Sequence, residues 1–366
     1  DIFSWDQTIN PYGRDKIEEY KINTLSPRRY GGTLSWMSSD GEDEEQTDGI
    51  GASEAIKKLE NFSKTGDNFF LAVGFFRPHT PFVAPKKYFD LYNKEEIIIP
   101  ESSPEYLKTI PLPAAKSIRA KKNQLNLDED LAKEIKQAYY ATISFVDAQL
   151  GRIIDKLKQT GLDKNTIIVF ISDHGYHMGE HGHWQKQTLF ENSTNVPLII
   201  NVPGSDYKTI KTMSPVELID IFPTLMDLTN IIPPSHLVGK SLKPIIENKS
   251  SSVRDNALTR WRNGYSLKTE RFRLTKWNMQ SGFQYELYDH KFDTDELNNL
   301  ALNPSYKVIC DSLVKIIDGR IINANTKPDG LGRQISNVKP ITKPLNLTYG
   351  DLYDENGKRI FLKPTN

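Results

Sequence analysis

Apolar positions gather in a few dense runs along the chain, and the spacing within each run predicts its element. Residues 69–76 (FFLAVGFF) form a continuous apolar run of strand length, as a strand buried on both faces of a parallel sheet requires. The prolines of Arg77-Pro78-His79-Thr80-Pro81 end it, because proline lacks the ladder donor. Residues 52–64 read as a short amphipathic helix. Farther on, Leu131, Ile135, Ala138, Thr142, Phe145, Gln149, Ile153 and Leu157 recur on one face, which predicts a long helix over 131–160 stopped by Gly161. Residues 166–172 (TIIVFIS) and 196–202 (VPLIINV) predict two more buried strands. Ser214-Pro215-Val216-Glu217 has the form of a capping box with proline at the first helical position. The helix it opens is expected to turn Ile219, Phe222, Leu225 and Met226 toward the core.

Strand–helix alternation on this scale predicts an α/β domain with a mostly parallel sheet flanked by helices. From about Asn256 the texture changes: Tyr265-Ser-Leu, Phe272-Arg-Leu and Tyr285-Glu-Leu-Tyr288 are short, alternating and aromatic, as in an antiparallel sheet. Residues 311–321 read as a helix packed on that sheet, and the Pro/Asn/Gly-rich tail after Asn323 as a surface wrap. The expected organisation is therefore a large α/β portion over 1–255 and a smaller α+β subdomain over 256–366.

Charge and cysteine content narrow the picture. The 366 residues carry 47 basic and 47 acidic side chains, a balance that argues against a coat for nucleic acid or an anionic membrane. The lone Cys310 excludes an internal disulfide, a Cys-based zinc site and a redox pair, and is expected to be an inert thiol. No apolar run is long enough to span a bilayer as a helix. The opening Asp1-Ile2-Phe3-Ser4-Trp5, with neither initiator Met nor leader, predicts a chain that begins in mid-protein. The acidic stretch 38–51 (SSDGEDEEQTDGIG) fails the EF-hand spacing and is expected to be a solvated loop.

Four of the seven histidines fall within ten positions: His174, His177, His181 and His183. Their segment, 172–186 (SDHGYHMGEHGHWQK), starts at the carboxyl end of a predicted strand, where open α/β sheets place ligands. Asp173 offers a hard oxygen, and imidazoles or Lys186 suit an anion. A merely His-rich polar loop remains open on residues alone. A zinc site built of these histidines is disfavoured, because the glycines prevent a shared helical face. His79 has a similar place after the other apolar run.

FFLAVGFFRPHTPF, the long helix and IIVFISDHGYHMGEHGHWQK, in that order, resemble the type I (formylglycine-dependent) sulfatases of the alkaline-phosphatase superfamily, and among them the iduronate-2-sulfatase-like enzymes. Asp220-Ile-Phe-Pro-Thr-Leu225 and Glu286-Leu-Tyr-Asp289 fit the same family. The resemblance implies that Asp173 and His174 hold a divalent cation, usually calcium. It implies that Lys186 binds a sulfate oxygen and that His79 is a donor or proton relay near the leaving group. Arg77 is expected to contact a carboxylate or second sulfate on the sugar, with a structural ion pair as the alternative. Tyr176, His177 and Trp184 are the other expected substrate contacts.

The family's Cys/Ser-x-Pro-x-Arg motif, whose first residue becomes formylglycine, does not occur in the 366 residues; Ser26-Pro27-Arg28-Arg29 lacks the spacing. The expectation is an exported sulfatase acting on a sulfated saccharide, its nucleophile supplied by an upstream polypeptide or segment. A phosphate or phosphonate ester hydrolase and a non-catalytic binder of sulfated glycans are the rivals.

Overall fold

The structure is a computed structural model that describes residues 5–27, 30–102, 105–204 and 210–326, with the backbone of 347–348. Two compact units divide it: the first draws on the chain up to Ile99, on Asn126–Ile167 and on Ile335–Asn366, the second on Pro100–Leu125 and Ile168–Gln334. The sequence boundary expected at 255 falls inside the second unit, and most of the predicted tail lies outside the described residues.

In the first unit the predicted long helix is present as Glu129–Thr160. Asp128 caps it, accepting the amide N–H of Asp130 and Leu131 at 3.0 and 3.3 Å, a bond of the kind that contributes about 1 kcal/mol. Gly161 ends it in the left-handed conformation, φ 74°, which a side chain disfavours. Seven of the eight predicted face positions are buried, Leu131 alone being half-buried. Ala141 and Phe145 pack against Ala84 and Tyr88, next to a parallel pairing of Trp36–Ser39 with Phe82–Pro85. The shorter predicted helix spans Thr47–Thr65, with Gly66 as its left-handed stop.

Two expectations for this unit are corrected. The acidic stretch is not a solvated loop: Ser35–Ser39 is a strand, and Asp43 and Asp48 are buried. Each carboxylate is tolerated there because it is bonded. Asp43 accepts from Tyr88 (2.6 Å) and Gln149 (3.0 Å) and pairs with Lys87 (2.8 Å). Asp48 takes the amide N–H of Phe76 and Arg77 at 2.8 and 2.9 Å. Nor is 69–76 a buried strand. It joins no ladder among the described residues, and Phe70 is 74% exposed. Its residues alternate between half-buried and exposed, with Phe69 stacked on Phe62 at 4.6 Å and Phe70 on Trp5 at 5.5 Å.

In the second unit Ala257–Trp261, Gly264–Lys268, Phe272–Met279 and Gly282–Asp289 form the expected antiparallel sheet, each strand paired with the next. The predicted helix runs Lys307–Asn325 and lays Cys310, Leu313 and Ile317 on Leu267, Leu274 and Leu287. Cys310 is accordingly a free, buried thiol. Ile168–Ile171 and Leu198–Asn201 confirm the other two strands, but they pair with each other antiparallel and only half-buried. The capping box lies three residues later than expected: Glu217 and Asp220 cap a short 3-10 turn, Leu218–Asp220, and the helix is Ile221–Leu228. Ile219 and Phe222 face outward, 50% and 54% exposed, while Pro223 and Thr224 take the buried side. The Asp220 carboxylate, bonded to Arg254 and the Lys240 amide, pulls that side inward.

Candidate functional site

Residues 173–186 leave the Ile168–Ile171 strand and fold back on themselves. His177–Met178 pairs antiparallel with Trp184–Gln185, and Gly179 (φ 108°), His181 (φ 57°) and Gly182 (φ 71°) make the reversal. This hairpin brings the two ends of the segment together: Asp173, His174 and Lys186 line one open cleft of about 2040 Å³ in the second unit.

The side chain of Asp173 is 85% exposed, and its carboxylate accepts no hydrogen bond among the described residues. His174 Nδ1 lies 2.7 Å from the Gly175 carbonyl, which can only accept, so Nδ1 is the donor there and Nε2 carries the lone pair in the neutral tautomer. That Nε2 is 3.6 Å from Asp173 Oδ2. A carboxylate with no competing donors beside an imidazole lone pair fits a divalent cation. Calcium gathers about six to eight mostly oxygen ligands, so these two supply a minority of its shell. The Lys186 ammonium has no ion-pair or hydrogen-bond partner among the described residues. Burial pushes its pKa down, against the pull of Asp173. Lys121, which sequence reasoning missed, bonds Gln185 Oε1; burial and then Lys186 push it down too. Two partly desolvated ammonium groups at one end of the segment favour an anion there.

His177, His181 and His183 are the hairpin's core rather than its working surface. His177 is fully buried, with Nε2 2.9 Å from Thr188 Oγ1 and its ring 5.0 Å from that of His183. His183 Nδ1 donates to the Ile118 carbonyl at 2.9 Å, and His181 stacks on Phe190 at 4.2 Å. Burial holds all three below the usual histidine range, His183 at about 4, so they are neutral at pH 7. The expected substrate contacts His177 and Trp184 are thereby corrected: at 0% and 4% exposure neither offers a surface. Both residues of each hairpin strand are buried, Met178 and Gln185 as well as these two. Tyr176 is half-buried.

Arg77 and His79 belong to the first unit. Arg77 is corrected from substrate contact to structural ion pair: it is 5% exposed, 2.6 Å from Asp15, and donates to the Val83 carbonyl at 3.0 Å. His79 is exposed, and its Nδ1 lies 2.6 Å from the Thr80 carbonyl.

A second group, Glu191, His290 and Glu296, offers ligand atoms within 4.8 Å of one another. The cation there is already Arg273, bonded to Glu191 and, at 2.6 Å, to Glu296. Glu296 stays below the usual carboxylate range because Arg273, His290 and the Glu191 amide outweigh the penalty of burial.

The segment after the Ile168–Ile171 strand thus presents a carboxylate, an imidazole and an ammonium to one cleft. The sequence profile of the sulfatase family matches residues 4–231, and one described as N-sulphoglucosamine sulphohydrolase, C-terminal, matches residues 179–321. The chain belongs to the sulfatase family. A sulfatase of Formosa agariphila is 36% identical over 266 residues, covering 71% of this chain and 51% of its own. Iduronate 2-sulfatase of Mus musculus is 35% identical over 217 residues, 50% of this chain and 39% of the relative. A phosphonate monoester hydrolase from Silicibacter pomeroyi superposes with a TM-score of 0.69 at 22% identity, over 77% of this chain and 61% of that one. At that identity the match shows the shared alkaline-phosphatase-like fold. The chain spans about half the length of the curated relatives it matches. Among the described residues no helix is long and apolar enough to cross a membrane.

Proposed function

We propose that the protein containing this chain is an exported sulfatase that hydrolyses a sulfate ester on a sulfated saccharide. The observation that carries the reading is the hairpin that sets Asp173, His174 and Lys186 on one cleft. Asp173 and His174 would hold calcium, which when bound neutralises the sulfate and polarises its sulfur–oxygen bonds. Lys186 donates from Nζ to a sulfate oxygen, where its partial desolvation strengthens the bond. In this proposal His79 is the donor or proton relay for the leaving sugar alcohol. The nucleophile in this proposal is a formylglycine hydrate on a polypeptide outside these 366 residues. Support for that companion comes from the exposure of apolar strand positions such as Ile171 (44%) and Ile199 (60%), and from a relative of which the match covers only 51%.

The test is sulfate release by the natural polypeptide that contains this chain, on sulfated oligosaccharides, nitrophenyl sulfate and nitrophenyl phosphate. Sulfate release that falls about 100-fold or more in Lys186→Ala supports the proposal. Dominant phosphate turnover overturns the substrate class. Binding of sulfated saccharide without release makes the protein a non-catalytic binder. An intact mass spectrum of the natural protein checks the companion: a single species at 41.8 kDa overturns it.

A further inference from the structure

We infer that Lys268 is the contact for a second anionic group of the saccharide, a carboxylate or another sulfate; this rests on the sulfatase reading above. The antiparallel sheet lines the cleft that Asp173, His174 and Lys186 share, through its edge strand Ala257–Trp261 and through Lys268–Glu270 and Arg273. Lys268 pairs with Ala257, Ser266 with Thr259 and Gly264 with Trp261 across two adjacent strands. Side chains alternate along a strand and directly paired residues share a face, so Lys268, Thr259 and Trp261 stand on the same side. All three line the cleft.

The neighbouring charges leave Lys268 the open cation of that face. Its partner on the next strand is Arg273, whose guanidinium is taken up by Glu191 and Glu296. Lys268 itself has no carboxylate within ion-pair distance among the described residues, although Glu191, Glu296 and Glu270 bear on it from farther away. Its ammonium donates to the carbonyls of Thr269 (2.6 Å) and Glu270 (3.1 Å), two of the three bonds it can make. One N–H remains, on a group that burial has stripped of much of its water. An ammonium so placed gains more from an incoming anion than a surface lysine does. Lys186 serves the sulfate at the hairpin end, and Lys268 supplies a separate positive point on the sheet. A saccharide bearing one sulfate and no other charge leaves that point unused.

The experiment compares KM for four substrates of the natural polypeptide: nitrophenyl sulfate, a neutral monosulfated disaccharide, a sulfated disaccharide containing a uronate, and a disulfated one. Lys268→Met keeps the stem and removes the charge. It is expected to raise KM about tenfold or more for whichever of the last two carries the recognised group, with the first two unchanged. Lys268→Arg should recover part of the loss. In the wild type, added salt should raise KM more steeply for the doubly charged substrate, which tests the idea even if Lys268→Met folds poorly. The uronate and disulfate arms separate the two sources of charge. Equal effects on all four substrates, or none on any, overturn the inference while sulfate release stands. A wild type that releases sulfate from none of them overturns the sulfatase reading, and this inference with it.

Discussion

The Arg77 guanidinium and the Asp15 carboxylate lie 2.6 Å apart, both almost wholly shielded from water, although they are 62 positions apart in the chain. Asp15 also accepts from the Thr47 amide (2.8 Å) and hydroxyl (2.6 Å), so the pair ties the start of one helix to the segment that carries His79. Removing one partner leaves a buried charge uncompensated. Arg77→Met is expected to destabilise the first unit by about 3–5 kcal/mol, read as a lowered urea midpoint. If Arg77 touched substrate instead, the variant would raise KM and leave the midpoint in place.

Gly175 follows the two candidate cation ligands, and its amide donates to the Ser193 carbonyl at 2.8 Å. A Cβ there would collide with the Asn192 carbonyl oxygen, a backbone atom that cannot swing aside. Gly175→Ala should therefore displace Asp173 and His174. A fall in melting temperature together with at least tenfold weaker calcium binding is expected, measured by thermal scans with and without the ion; an unchanged calcium response would count against it.

Calcium itself should stabilise the wild-type protein by the mass-action term, about 2.7 kcal/mol at a hundredfold excess over Kd. Asp173→Ala should abolish most of that increment while barely moving the melting temperature of the metal-free protein, because the side chain is exposed and bonds no donor among the described residues.

Two buried groups pull the stability of the second unit in opposite directions with pH. His183 titrates at about 4 when folded and at 6.5 as a free side chain, so the unfolded chain binds more protons between these values. Stability is lost as pH falls through that window. Glu286 is pushed up to about 7 by burial, despite bonds from Trp277 (2.5 Å) and Tyr288 (2.7 Å). It costs stability as pH rises from 4.5 to 7. Glu286→Gln should remove that second slope, on the order of 3 kcal/mol at most, in urea titrations across pH 5–8. An unaltered slope would assign it elsewhere.

Period and punctuation made the elements of this chain legible wherever local geometry decides. The 3.6-residue recurrence from Ile135 to Leu157 and the stop at Gly161 survive intact, as does the aromatic alternation after Asn256. What stayed hidden was set by distant partners. A count of acidic residues cannot show that Tyr88 and Gln149 will bury Asp43, nor that Asp15 will claim Arg77. At the site, strand-end placement pointed to Asp173, His174 and Lys186, and the structure puts them on one cleft. The burial of His177 and Trp184 comes from the packing of the whole hairpin, for which their own residue types give no sign. Lys268 carried no signal in sequence, because its meaning comes from Arg273 being occupied next door.

The run FFLAVGFF is uncharged, free of proline and rich in strand formers, yet it stands outside any ladder among the described residues. Such a segment is a ready template for other chains to add to, strand upon strand. Made alone, this polypeptide is expected to clump into β-rich aggregates. Co-production with the proposed companion polypeptide is expected to raise its soluble yield in a recombinant host.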